Sequence, residues 1–151
     1  MLRRQAITAL LCALPIGAQA QQQQTPQAFL EGIYQPYRQI DFKGQPYWET
    51  GRFFTPDLAQ AIERDMREAK RRGEVPALDG DPFIGAQDWE ITSLSIASST
   101  AGDKASGAVS FVNLGTPRAL ALTLVRTPAG WRIADIVGSG GSLRALFKLH
   151  Q

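Results

Sequence analysis

The chain has 151 residues, 16 lysines and arginines against 14 acidic residues, a single histidine and a single cysteine. Two of the arginines, Arg3 and Arg4, and the cysteine, Cys12, fall within the first twenty residues. Without that stretch the charges balance at 14 against 14 and no thiol is left, so neither a nucleic-acid footprint nor disulfide or thiol chemistry is expected.

The first twenty residues have the three-part layout of a secretory signal peptide: a basic start, an apolar run from Ala6 to Leu14, and the small-x-small site Ala18-Gln19-Ala20. The run is far shorter than the roughly 20 residues that span a bilayer, so no transmembrane segment is expected in the mature form. Gln5-Ala6-Ile7 fits general secretion better than twin-arginine export, and Cys12 lies inside the apolar run as filler. Cleavage after Ala20 sends the protein to the periplasm or the medium. Residues 21–25 then form a flexible leader and residues 26–150 one domain.

Thr25-Pro26 is a helix start, a capping hydroxyl followed by a proline whose missing N–H costs nothing in the first turn. Phe29, Ile33 and Tyr37 recur at spacing four, with Leu30 and Tyr34 beside them, which predicts a helix of about three turns weakened near its end by Pro36. Residues 39–52 read as a connection anchored by Phe42, Tyr47 and Trp48. Thr55-Pro56 repeats the start signal, Leu58, Ala61, Ile62, Met66 and Ala69 share one face, and Gly73 stops the helix. Its opposite face interleaves Arg64, Arg67, Lys70, Arg71 and Arg72 with Glu63, Asp65 and Glu68, a solvated surface with ion pairs.

From residue 74 to 85 the chain is loop, and after it the period changes from helical to alternating. Residues 89–97, 105–113, 119–126 and 131–137 predict four strands, and connections this short make neighbours antiparallel. Neither face of the ribbons at 105–126 is strongly polar. One face therefore covers the helices, and the other is expected to meet a second copy in a homodimer through the sheet. Glycine-rich residues 138–141 read as a flexible hinge, with Ser142 capping a last helix that runs to about Leu149. The fold class is α+β: two N-terminal helices on a curved four-stranded antiparallel sheet, cone-like, with a short C-terminal helix.

Two helices before such a sheet, ending in Gly130-Trp131-Arg132-Ile133-Ala134-Asp135-Ile136-Val137, resemble the nuclear-transport-factor-2-like cone superfamily. Asp79-Gly80-Asp81-Pro82-Phe83 followed by Gln87-Asp88-Trp89 resembles, more narrowly, the exported bacterial family known as domain of unknown function 3828. The resemblance spans about 26–149 and implies a fold and an exported location, with no activity to carry over.

The densest polar cluster is Asp79, Asp81, Gln87 and Asp88, flanked by Phe83 and Trp89, a candidate lip for a ligand or partner. The bland reading is that its carboxylates serve turns. A calcium loop is disfavoured because Phe83 stands at a ligand position and Ile84 where a glycine is required, so no metal is expected, and no cofactor. Asp135 shares parity with Trp131 and Ile133. With Tyr34 or Tyr37 it forms the fallback acid/base set, since acid/base work in enzymes of the cone superfamily, such as the ketosteroid isomerases, falls to aspartate and tyrosine. The alternative for such an aspartate is to cap a turn or to pair with Arg132 or Arg144. His150, next to the terminus, offers no base for a serine or metal mechanism, and residues 138–142 lack the lysine of a phosphate loop.

The leading expectation is a non-catalytic exported domain that binds a small molecule or an envelope protein, an immunity-type role being one form of it. The alternative is a small-molecule isomerase or dehydratase that uses aspartate and tyrosine inside the cone.

Overall fold

The computed structural model describes residues 24–150, so the expected signal peptide and most of the expected leader lie outside the described residues. Helix α1 spans Pro26–Tyr34, and the Thr25 hydroxyl accepts the Ala28 N–H at 3.1 Å, satisfying one of the amides that a helix start leaves open. Pro36 does not end the chain's coiling. It sits in the first turn of a 3-10 segment, Gln35–Arg38, that continues from α1 and carries Tyr37 into the core.

Helix α2 spans Pro56–Arg72 and ends on Gly73, whose φ of 69° is the left-handed cap that glycine adopts without a Cβ penalty. Thr55 behaves differently from Thr25. Its hydroxyl bonds Asp57 Oδ1 at 2.7 Å rather than a backbone amide. Leu58, Ala61, Ile62 and Ala69 are buried, whereas Glu63–Arg67 and Glu68–Arg72 pair across the exposed face, where each pair contributes at most about 1 kcal/mol.

The sheet is open and wholly antiparallel, with strands in the order β1 (Ile91–Ala101), β2 (Lys104–Asn113), β3 (Thr116–Thr127), β4 (Gly130–Gly138) and β5 (Gly141–Ser142). Five strands therefore replace the four expected. The glycine-rich stretch read as a hinge is a hairpin turn, closed where Gly138 pairs with Gly141. Helix α3 is a single turn, Leu143–Leu146, capped by Ser142 and shorter than expected because the chain leaves helical geometry at Phe147.

Ala105, Val109, Phe111, Leu122, Leu124, Trp131 and Ile133 turn to the helices and are buried, while Ala97, Ala108, Ser110, Ala119 and Ala121 face outward and are exposed. Gly107 lies on the covered side where a Cβ would stand 2.6 Å from Leu30 Cδ1, so α1 approaches the sheet as closely as it does because no side chain intervenes. The segment leading into α2 is tied to β4, since Ile133 N–H donates to Phe53 O at 2.7 Å and Thr55 N–H to Ile133 O at 2.9 Å. Phe42 and Tyr47 pack against the core as expected. Trp48 instead stands 60% exposed with only its edge toward Tyr47.

Parity along β4 is broken by a one-residue bulge. Leu124 pairs with Ile133 but Thr123 pairs with Asp135, leaving Ala134 unopposed, so it is Ile136, opposite Leu122, that rejoins the covered side. By register Asp135 therefore stands opposite exposed Thr123 and not beside Trp131 and Ile133 on the covered side, although it is itself buried, at 6% exposed.

Candidate functional site

The loop before β1 is held by short local bonds. Asp81 N–H donates to Ala86 O and Gly85 N–H to Asp81 O, while Asp65 on α2 accepts the amides of Ala77 and Leu78 at 3.1 and 3.2 Å. This tight closure turns the Asp81 side chain inward. Its Oδ1 accepts the Phe83 N–H at 2.9 Å, and its Oδ2 accepts the Tyr37 hydroxyl. The Tyr37 oxygen in turn accepts the Gln45 N–H at 3.2 Å, and Gln45 Nε2 donates to Ile33 O at 2.7 Å, so the connection between the helices is lashed to the end of α1.

Aromatic rings surround this polar thread. Tyr37 lies edge-on to Phe42 and Trp89 at 5.0 and 5.5 Å, and Phe83 stacks on Phe54 at 5.7 Å with Tyr34 and Phe53 at its edges. Burial, more than the bonds from Tyr37 and the amides can offset, pushes the Asp81 carboxyl above its ordinary value. Burial and the neighbouring Asp81 push both Tyr34 and Tyr37 far above the usual phenol range. The pair is an acid and a phenol sealed from water. Its hydrogen-bonding capacity is spent on the protein itself.

The six residues of the candidate lip divide accordingly. Asp81 and Phe83 lie in the interior, Trp89 is half-buried over Tyr37, and Asp79, Gln87 and Asp88 are on the surface, where Gln87 Nε2 donates to Asp79 Oδ1 at 2.9 Å. The Asp79 and Asp81 carboxylates bond different partners. Among the described residues no group of three or more histidines, cysteines and acids stands where it could hold a metal ion.

The fallback set is not assembled as read. Asp135 bonds neither tyrosine: its carboxylate accepts the Ile136 and Arg144 amides at 2.9 and 3.0 Å and the Ser142 hydroxyl at 2.7 Å, fixing the β4–β5 turn against α3. It thus meets Arg144 through the backbone, while the Arg144 guanidinium pairs with Asp57 at 2.9 Å. Tyr34 has a buried hydroxyl with no hydrogen-bond partner among the described residues.

One feature was not legible from the residues. Leu78, Ile84, Arg118, Leu120, Ile136 and Leu146, spread over nearly seventy positions, line a groove of about 590 Å³ together with the 138–142 turn. Of this lining, the residues themselves single out only the 138–142 stretch, which lacks the lysine of a phosphate loop.

No family model matches the chain, and no curated protein matches it. Among solved structures, it is similar to a chain of the type VI native effector–immunity complex Tae3–Tai3 from Ralstonia pickettii, at 24% identity and a TM-score of 0.52, covering 78% of this chain and 97% of that one. It is also similar to the phospholipid-binding protein from Ralstonia solanacearum, solved with a phospholipid, at 23% identity and a TM-score of 0.37, covering 69% of this chain and 54% of that one. The first of these shows a shared fold. The second is too distant in shape to carry an argument.

Proposed function

We propose that this chain is an exported, non-catalytic binding domain of the bacterial envelope, with an immunity-type partner role as its most specific form. The observation that carries the reading is that side chains fill the interior around the candidate acid and phenols. Trp131, Tyr34, Phe54, Phe83, Leu124 and Ile133 are all less than 2% exposed, and the carboxyls of Asp81 and Asp135 and the Tyr37 hydroxyl are occupied by structural bonds. General acid/base work requires a titrating group within reach of a substrate atom, directly or through one water. Neither Asp81 with Tyr37 nor Asp135 meets that condition.

The partner form of the reading is supported by the fold, since a chain of an effector–immunity complex shares it. The surface offers material for contact at Asp79, Gln87 and Asp88 beside half-buried Trp89, and at exposed Trp48. Acidic rim residues steer encounter, and tryptophans are enriched where interfaces are strong.

The test is capture of partners from envelope extract by the tagged protein, with Asp79→Lys and Asp88→Lys as paired variants. Specific retention of one protein by the parent chain and its loss in the variants is expected. Turnover of a ketone or hydroxy substrate that disappears in Asp81→Asn or Asp135→Asn would overturn the reading in favour of an enzyme.

A further inference from the structure

The groove lies between the loop before β1, the start of β3, the β4–β5 turn and α3. Register places Arg118 and Leu120 on the covered side of the sheet, because Leu120 pairs with buried Val109 and Arg118 with buried Phe111. Its walls are aliphatic, formed by Leu78, Ile84, Leu120, Ile136, Leu143 and Leu146. A Cβ on Gly138 would stand 2.8 Å from Leu120 Cδ2, so a side chain there would press on the Leu120 wall of the groove.

Arg118 supplies the charge at this otherwise apolar site. Its Nε is buried with no hydrogen-bond partner, and its guanidinium makes one long bond, Nη1 to Ser139 Oγ at 3.5 Å. No carboxylate among the described residues pairs with it. Arg118 is half-buried overall, and only its Nε is cut off from water without an acceptor, which is a costly loss. An anion would complete this unpaired cation, and the leucines beyond it suit one that carries an apolar body.

We propose that this groove binds a free long-chain carboxylate, its head on Arg118 and Ser139 and its alkyl chain along Leu120, Leu143 and Leu146. A single guanidinium matches the single charge and planar fork of a carboxylate. A phosphate monoester, with a charge of about −1.5 to −2 at pH 7, calls for further cations that the lining does not provide. The assignment rests on the binding-domain reading above and names its ligand class.

Calorimetric titration of the protein with octanoate, decanoate and dodecanoate below their micellar concentrations tests it, with acetate, dodecyl phosphate and dodecyl maltoside as comparators. Affinity is expected to rise by up to about fourfold per methylene, the equivalent of burying each in an apolar wall. Arg118→Met lowers dodecanoate affinity at least tenfold, and Arg118→Lys restores part of it. Leu146→Ser, a neutral change at a half-exposed position, weakens dodecanoate while leaving acetate unaffected, and circular dichroism with thermal melting verifies that each variant is folded. The proposal is overturned if no member of the series binds saturably, if dodecyl maltoside or dodecyl phosphate binds as well as dodecanoate, or if Arg118→Met changes nothing. A protein partner captured with no carboxylate bound sinks the groove assignment alone, whereas substrate turnover sinks the binding-domain reading itself.

Discussion

Replacing Tyr34 by phenylalanine deletes one oxygen atom from the interior, and the structure assigns that atom a cost. The Tyr34 ring packs edge-on against Phe83 at 6.4 Å and is 1% exposed, while its hydroxyl has no partner among the described residues. A buried polar group without a hydrogen bond costs about 1–3 kcal/mol, and phenylalanine keeps the ring contacts. Tyr34→Phe is therefore expected to stabilise the domain by about 1 kcal/mol, which at this size raises Tm by roughly 3–5 °C. Tyr37→Phe has the opposite sign. It strips the donor from Asp81 Oδ2 and the acceptor from Gln45 N–H, both buried, for a loss of about 2–4 kcal/mol. Urea denaturation of both variants beside the parent, followed by circular dichroism, measures the pair. Destabilisation by Tyr34→Phe of more than about 1 kcal/mol would refute the reasoning, because the hydroxyl would then have to be satisfied.

Two carboxyls should respond to pH in opposite directions. Asp81 is raised by burial, so its contribution is fully present below the ordinary carboxylate value of 3.8 and is lost as pH rises through its folded value; Asp81→Asn is expected to flatten that decline in a pH series of melts. Asp57 is pulled up by burial but held below its ordinary value by Thr55, Arg144 and the Leu58 amide together, so its contribution is present above 3.8 and is lost as pH falls; Asp57→Asn should remove that loss. Asp135→Ala removes the acceptor for two amides and a hydroxyl and should cost about 2–3 kcal/mol, with amide exchange accelerating in α3 before it does in β2. The homodimer expected through the uncovered face of small residues is read by sedimentation at high concentration: Ala108→Arg should dissociate it, and monomer alone in the parent chain removes it.

The sequence by itself determined the two long helices and the four long strands in their order, but not the short β5, whose pairing with β4 the glycines at 138–141 do not announce. Thr25-Pro26, Thr55-Pro56 and Gly73 act within one turn of the backbone, and the period-two pattern of β2 and β3 marks them as strands without saying which side meets the helices. Such signals are local, so they survive in a linear reading. The loop cluster around Asp81 was legible as composition, but its division into an interior pair and a surface trio was not. That division depends on Tyr37 arriving from 44 residues away.

Only the tertiary structure decided the place of Asp135, because a single unopposed residue in β4 reverses every side chain after it and nothing in the alternation of Trp131, Ile133 and Asp135 announces the bulge. The same holds for Arg118. Its want of a partner is a property of the space around it, created by a loop, a hairpin turn and a short helix that are distant in the chain and adjacent only once the sheet has closed them together.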